Sequence, residues 1–500
     1  MKKPLKTQFE IASNRKSFSY RSIDDTQNRR RPQTKTSHEL YMLPAAKRDR
    51  ASATARDDRR NMSILAWMIR RHLDNVSRFT PYIHTGDDAL DAVILKLLRW
   101  HAHRTRFDAL GRHGRDEWMR MFEACKVING DAAGLKSKGG KLQGIEGDRI
   151  TLPLGSSGKV DISNVTEDGI EFNDDHTRKA FCVCRRAGTR GETLEFERLV
   201  PANEMIFDGY WPERFDADRG VSPLMTALNE GADVRETWEW LVLKAKASAL
   251  FGLAFTRKSS DEIVPTYGGD PNTEAPADAT TGYSQQIAGA IKSRGIINLD
   301  LDDGDDVKEI ESATPNGTVI EFTRELIRSV LLSLDIPFTF YDSLTASFSA
   351  RIADRNEYEE SCEWKRDKNI GVIDEVYGWL FPIWETADLF GFSKALKKTG
   401  KSSEECLTDL QWSPAGRPWL DRAGEMAGHI LALSAGITSV PRICAAYGDN
   451  AYAIAAEQKA YLDKCGIPIL YAQGGQVPVN DLLAQAMQPK DAPGAAKGKQ

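Results

Sequence analysis

The residues able to do chemistry are few, and their spacing fits no reaction. Gly134-Leu-Lys-Ser-Lys-Gly139 resembles a nucleotide loop, in which backbone N–H groups cradle phosphates, a lysine holds the terminal phosphate and a hydroxyl binds magnesium. Here Gly140-Lys141-Leu142 follows, so the lysine falls one place late with no Ser or Thr after it. The flanking residues read as strands, and the segment reads as the turn between them. Asp300, Asp302, Asp303, Asp305 and Asp306 have a calcium loop's composition. With Gly304 at the sixth position, however, Leu299 and Ile310 occupy the first and twelfth, where carboxylates are required. That stretch reads as a solvated hairpin tip. His101, His103 and His113 have no Cys or carboxylate cluster at ligand spacing and read as packed or surface histidines. Cys182 and Cys184 lie one residue apart on the same face of a strand, the placement of buried thiols. Ala432-Leu-Ser434-Ala-Gly436 lacks the first glycine of a nucleophile elbow and sits at a helix end. The expectation is a protein without catalytic residues, metal or cofactor.

The chain that carries these residues has ample material for cores: 500 residues, 41% hydrophobic, with 11 tryptophans. Its longest strongly apolar run, Ile64 to Ile69, is far short of the roughly 18 residues that span a bilayer, so no membrane partner is expected. Lys2, Lys3 and Lys6 have no apolar stretch behind them, which argues against a secretory signal. Seven scattered cysteines point to a reducing compartment. The net charge of −5 is unevenly spread: residues 1–60 hold 16 Lys/Arg against 7 Asp/Glu, leaving the other 440 at −14. Residues 1–60 read as a mobile basic arm on an acidic body.

From Ser63 to Trp100 the apolar spacing is helical, through Ile64, Met68, His72 and Leu73, then Leu90, Val93, Leu97 and Leu98. From Val127 to Glu197 short runs such as Gly147–Leu152, Val160–Ile162, Gly169–Phe172 and Ala180–Cys184 are split by turn residues, as in antiparallel sheet. An α+β domain follows from this order. Ser222 and Pro223 open a long helix through Phe255. Residues 257–290 read as a loop-like insertion, followed by a strand pair, Gly295–Leu299 with Val307–Ile310. Thr318-Val-Ile-Glu321 is a capping box opening a helix with apolar Val319, Phe322, Leu326, Ile327, Val330, Leu331 and Leu334, ended by Pro337. After a polar connection, Asp342 to Ser347, another long helix runs to Phe381 and stops at Pro382. Asp421 to Asp481 read as short helices, with Asp421, Ser439 and Asp449 as N-caps and Gly436 and Gly466 as C-caps. Residues 488–500 read as a disordered tail.

Several motifs, in order, resemble the lambda-type family of bacteriophage portal proteins. They are Leu73–Val76, Asn129-Gly-Asp131, Ile145–Ile150, Val200–Ile206, Arg219-Gly220-Val-Ser-Pro223-Leu224, Gly295–Leu299, Gly304–Val307, Pro315-Asn316, Asp335-Ile-Pro337-Phe338 and Ser347-Phe-Ser-Ala-Arg351. Trp412, Pro414, Trp419–Asp421, Ala435–Thr438 and Tyr447–Asn450 continue the series, so the resemblance covers about residues 60–470. Phe348 stands where the family usually has tyrosine, and Asp354, Asn356 and Glu357 replace its small apolar residues.

The resemblance implies an α+β, portal-type multidomain subunit. After the arm, it implies an N-terminal wing (61–222), a first stem helix (223–255), a clip (256–317) and a second stem helix (318–341). A tunnel loop (342–349), a long wing helix with its following segment (350–409) and a helical wing and crown (410–487) complete the chain. It implies a homo-oligomeric ring of about twelve subunits at one capsid vertex of the virion, assembled in the bacterial cytoplasm, through which double-stranded DNA passes irrespective of sequence. The implied partners are the terminase large subunit, capsid and scaffold proteins, and head-completion or tail adaptors.

Within that frame, Ser343, Leu344, Thr345, Ala346, Ser347 and Phe348 are the tunnel-loop candidates. Lys244, Lys246, Arg324 and Arg328 can line the stem channel, or instead form intersubunit salt bridges with Glu239, Glu321 and Glu325. Trp238, Trp240, Trp364 and Trp379 are candidate interface anchors, with intrasubunit core as the alternative. A different head–tail adaptor or DNA-binding structural protein, and behind it a DNA-processing enzyme, are the competing readings.

Overall fold

A computed structural model describes residues 43–465 apart from 154–159, 190, 192, 212–213, 216, 251–252, 258–304, 310–316, 345, 415 and 417–421. The architecture is α+β, with long helices around four small antiparallel sheets among the described residues.

Helix α1 (Ala45–Asn61) lies inside the stretch read as a mobile arm, yet it is docked, with Arg48, Ser52, Ala55 and Asp58 buried. Its sequence has no apolar stripe, so hydrophobic periodicity could not reveal it. Ion pairs hold it instead. Arg48 reaches Asp168 at 2.7 Å, and Arg56 contacts Glu146, Asp148 and Asn129. The arm reading therefore gives way from Ala45 onward, and residues 1–42 lie outside the described residues.

Helices α2 (Ser63–Val76) and α3 (Asp88–His101) fill the two helical stretches, and Asp87 caps α3 by accepting from the N–H groups of Ala89 and Leu90. Between them the structure inserts strand β1 (Phe79–Ile83). A short helix α4 (Arg104–Phe107) and helix α5 (Arg115–Asn129) lead into the hairpin β2 (Asp131–Ser137) and β3 (Lys141–Glu146). Gly139 (φ 88°) and Gly140 (φ 74°) make its turn. The glycines of the apparent phosphate loop have a packing reason: Gly134 and Gly144 face each other across the hairpin under the Trp118 indole. A Cβ on Gly134 would lie 3.0 Å from that ring.

Strands β4 (Ile170–Phe172), β5 (Arg178–Ala187) and β6 (Thr193–Pro201) form a second sheet, and β7 (Met205–Gly209) returns to pair with β2. Two runs expected as strands differ: Gly147–Arg149 is a 3-10 turn, and Val160–Ile162 is irregular.

A 3-10 turn at Pro223–Thr226 precedes helix α6 (Leu228–Leu250), which stops five residues before the expected end. The chain then forms β8 (Leu253–Arg257), paired with β9 (Asp305–Glu309). The expected partner strand, 295–299, lies outside the described residues, as do Asp300 to Gly304. Helix α7 (Gly317–Leu332) starts before Thr318, so the proposed box lies within the helix rather than at its cap. It also ends earlier than Pro337, because Asp335 adopts φ 59° and the Ile336 N–H turns back to the Leu331 carbonyl.

Helix α8 (Phe338–Tyr341) is followed by α9 (Phe348–Thr386), which runs through Pro382 instead of stopping there. The N–H that proline lacks costs one bond in the final turn, where Leu380, Phe381 and Trp384 are buried in a core. Helices α10 (Phe392–Thr399) and α11 (Ser403–Thr408) precede β10 (Leu410–Pro414), which pairs with β1 across more than 300 residues of chain. Helices α12 (Arg422–Ser434), α13 (Val440–Ala446) and α14 (Ala451–Cys465) close the described chain without one buried residue. Asn450, not Asp449, accepts from the first N–H groups of α14, and Asp421 and Gly466 lie outside the described residues.

Helix α9 threads two cores. Its first half places Tyr358 and Cys362 among α1, α2, α6 and α7, and its second half packs Val372 to Trp384 against α3, α5, α10 and β10. A third core joins the β2–β3–β7 and β4–β5–β6 sheets through Ile145, Phe181 and Met205.

Candidate functional site

The Arg219-Gly220 motif sits where the β2–β3–β7 and β4–β5–β6 sheets meet the entry to α6. All five guanidinium donors of buried Arg219 are used: two on the Asp131 carboxylate (2.6 and 2.8 Å), and three on the carbonyls of Gly147, Ile150 and Asp168. Only a planar fork makes this set. Gly220 passes so close to Gly130 that an added Cβ would lie 2.2 Å from a carbonyl oxygen. Ser222 Oγ then donates to the Val127 carbonyl and accepts from the Leu224 N–H, fixing Pro223 at the first turn. The motif is a buried joint between the β2–β3–β7 and β4–β5–β6 sheets and helix α6, not a ligand site.

A second polar cluster ties α2, α5, β7 and α9 together. The Lys126 ammonium contacts Glu123 (2.9 Å), Asp208 (2.7 Å) and Asn369 (2.7 Å), while Glu123 also accepts from Tyr210 and meets His72 at 2.9 Å. Burial alone would raise the Glu123 carboxyl, but Lys126, His72 and Tyr210 hold it far below the usual carboxylate range. Every side chain here is held by another, with only His72 Nδ1 lacking a partner among the described residues, which suits rigidity rather than turnover.

Helices α6 and α7 run antiparallel, with Ser329 donating to Glu230 at 2.7 Å. Their exposed side chains are unusually apolar: Trp238, Trp240, Val242 and Leu243 on α6, Ile320, Phe322 and Leu332 on α7. Phe322, expected on the packed face, is 57% exposed. Lys244 and Lys246 are exposed and have no ion pair among the described residues. Arg324 pairs with Asp342 at 3.2 Å, tying the 342–349 loop to α7. Arg328 pairs with Glu325 on its own helix and lies over the Phe338 ring. Arg235 is near Glu239 at 3.9 Å. Trp364 is 48% exposed, whereas Trp379 is half-buried against the α9 core.

In the loop, Leu344 is 94% and Phe348 54% exposed, and Ser343 is exposed. Ala346 is half-buried, Ser347 caps α9 through the Ala350 N–H, and Thr345 lies outside the described residues. Pro337 opens α8, and Arg351 is exposed in the first turn of α9. The sequence reading missed Arg71 of α2 and Arg355 of α9, which share a cavity of about 420 Å³ with Arg351. Arg351 and Arg355 are one helical turn apart, but Arg71 lies some 280 residues earlier, so the linear sequence does not show that the three meet.

Of the residues considered for chemistry, His101 is buried with Nε2 donating to the Gly140 carbonyl (2.8 Å), and burial pushes its pKa down to about 4. Cys182 and Cys184 are buried side by side. Among the described residues no group of His, Cys, Asp and Glu can hold a metal ion, and no helix is long and apolar enough to cross a membrane.

The family described as phage portal protein, lambda family, matches residues 25–364 of the sequence. Several solved structures are similar. A chain from the neck of a native gene transfer agent particle, computed with C12 symmetry, is 12% identical with a TM-score of 0.38, covering 76% of this chain and 88% of its own. A chain from the virion of that particle type is 13% identical with a TM-score of 0.37, covering 72% and 99%. A crystal structure of an HK97-family phage portal protein from Corynebacterium diphtheriae is 15% identical with a TM-score of 0.28, covering 64% and 83%. No curated protein matches the sequence.

Proposed function

The chain belongs to the lambda family of phage portal proteins, and from that premise we propose that it closes into a ring, of about twelve copies, around a channel for double-stranded DNA at one capsid vertex. The observation that carries the ring is the apolar surface on α6 and α7. Trp240, Leu243, Phe322 and Leu332, exposed by more than half, are too many for a monomer's solvated helix pair. A heterologous interface repeated about an axis buries such a surface on every copy.

Within the ring, the 342–349 loop is the tunnel loop, presenting Ser343, Leu344, Thr345, Ala346, Ser347 and Phe348 to the duplex. The 256–317 segment is the clip facing the terminase motor. The capsid, its scaffold and the head-completion and tail adaptors meet the remaining surfaces. The role is structural, with the energy of packaging supplied by the motor.

The charge balance fits a conduit. Each neutralised phosphate adds affinity that must be lost again before DNA can advance. The −14 of residues 61–500 keeps the polyanion from adhering, while Lys244, Lys246, Arg324 and Arg328 offer at most weak, exchangeable contacts from the stem helices. The test is negative-stain microscopy of the purified protein. Rings with a central hole support the reading; a monodisperse monomer under assembly conditions refutes it.

A further inference from the structure

We propose that Arg71, Arg351 and Arg355 form a seat for a backbone phosphate of double-stranded DNA at the root of the 342–349 loop. The inference rests on the channel reading above and names a contact within it. The three arginines converge on the cavity of about 420 Å³ that Ser343 of the loop also lines.

Of the acids on the same cavity wall, Asp74 pairs with Arg120 at 2.7 Å and Glu359 with Arg366 at 2.8 Å. Arg71 and Arg351 have no ion pair among the described residues, in contrast to Arg48, Arg56, Arg219 and Arg366. Arg351 and Arg355 are one helical turn apart, a like-charge spacing that disfavours the helix. They also stand among the first eight residues of a 39-residue helix, toward the positive end of its dipole. Arg71 brings a third cation from α2.

Arg71 also lies over the Trp67 ring, 5.8 Å from its centroid, yet bringing three like charges to one cavity works against folding, and residues that break local rules mark sites of function. An anion in the cavity reverses each term. The arginine repulsion is screened, the helix N-terminus gains a counter-charge, and guanidinium forks match the oxygens of a phosphate. Tyr358, whose hydroxyl is buried, also lines the cavity. Its side chain is 1% exposed, and it has no oxygen or nitrogen partner among the described residues, only the weak Cys362 thiol nearby. Duplex DNA supplies the matching ligand repeatedly, at about one charge per 1.7 Å of axis. One seat per subunit at the base of an exposed loop holds a resting duplex yet exchanges from phosphate to phosphate as DNA advances.

The test is duplex binding by the full-length protein, in whatever assembly it forms, titrated across salt. Arg71→Gln/Arg351→Gln is compared with wild type and with Arg185→Gln, which removes a charge on the far strand β5. The seat predicts that the double variant binds a short duplex at least about tenfold more weakly at 0.1 M salt, with a slope of log K against log salt smaller by about one or more. Arg185→Gln should match wild type, and circular dichroism should show both variants folded. Unchanged affinity and slope in a folded double variant overturn the seat. So does a double variant that loses only ring assembly, since the arginines then meet a neighbouring subunit. The seat is scored by the salt slope and the ring by micrographs, so each fails on its own evidence.

Discussion

Replacing Arg219 by alanine should loosen the junction of the β2–β3–β7 and β4–β5–β6 sheets with α6. The variant leaves the Asp131 carboxylate, wholly buried, with one remaining donor, the Gly220 N–H at 3.0 Å. It also strips the carbonyls of Gly147, Ile150 and Asp168 of their guanidinium partner. Breaking a buried ion pair by removing one partner costs about 3–5 kcal/mol. The orphaned carbonyls add to this, limited by water entering the vacated space. The loss is a large share of the roughly 5–15 kcal/mol that holds a domain together.

The assay is native-state amide hydrogen exchange of Asp131–Ser137, which reads this joint locally even if the whole chain does not unfold in one step. A loss of about 3–5 kcal/mol accelerates exchange by roughly two to three and a half orders of magnitude. Arg219→Lys should fall between alanine and wild type, because an ammonium offers at most three donors where five are used. Asp131→Ala with Arg219→Ala should be less damaging than Arg219→Ala alone, since no orphaned charge remains. An acceleration below tenfold in the single variant, or a double variant worse than the single, would refute the account of this motif as a buried electrostatic joint.

Trp240→Glu, at a site 62% exposed, should leave the monomer's stability within about 0.5 kcal/mol and abolish ring assembly in mass photometry; normal rings would remove α6 from the interface. Leu344→Asp, at 94% exposure, should likewise fold and assemble normally but impair packaging or retention of DNA in an in vitro packaging reaction, and full heads at wild-type yield would contradict the loop's role. His101 carries a folded pKa of about 4 against an ordinary 6.5 because burial disfavours its charged form. The unfolded chain thus binds that proton first, so the stability His101 contributes is whole above pH 6.5 and falls by about 3 kcal/mol between pH 6.5 and 4. His101→Gln should flatten that part of the pH–stability curve measured by urea denaturation, and an unaltered curve would show that other groups set it.

Much of this protein was legible in the amino-acid order because the signals were local. The apolar spacing of 64–73 and 90–98, the glycine turn at 139–140 and the Ser222-Pro223 start each act within a few residues, and each appears where the sequence places it. Arg219, Gly220 and Arg351 could be marked as motif positions, but not explained. The five oxygens on Arg219 come from four residues in three segments, up to 88 residues away, and only the folded chain assembles them. Helix α1 escaped because charge pairs rather than an apolar stripe dock it. Strand β1 escaped because its partner lies at residues 410–414. Helix α9 passes Pro382 because core packing around Phe381 and Trp384 outweighs one missing hydrogen bond. Tertiary structure likewise separated Phe322, exposed, from Leu331, buried, on what reads as one apolar stripe, and it gathered Arg71, Arg351 and Arg355 into one cavity. Short-range order is written in neighbouring residues; burial, register and charge convergence depend on segments that meet only when the chain has folded.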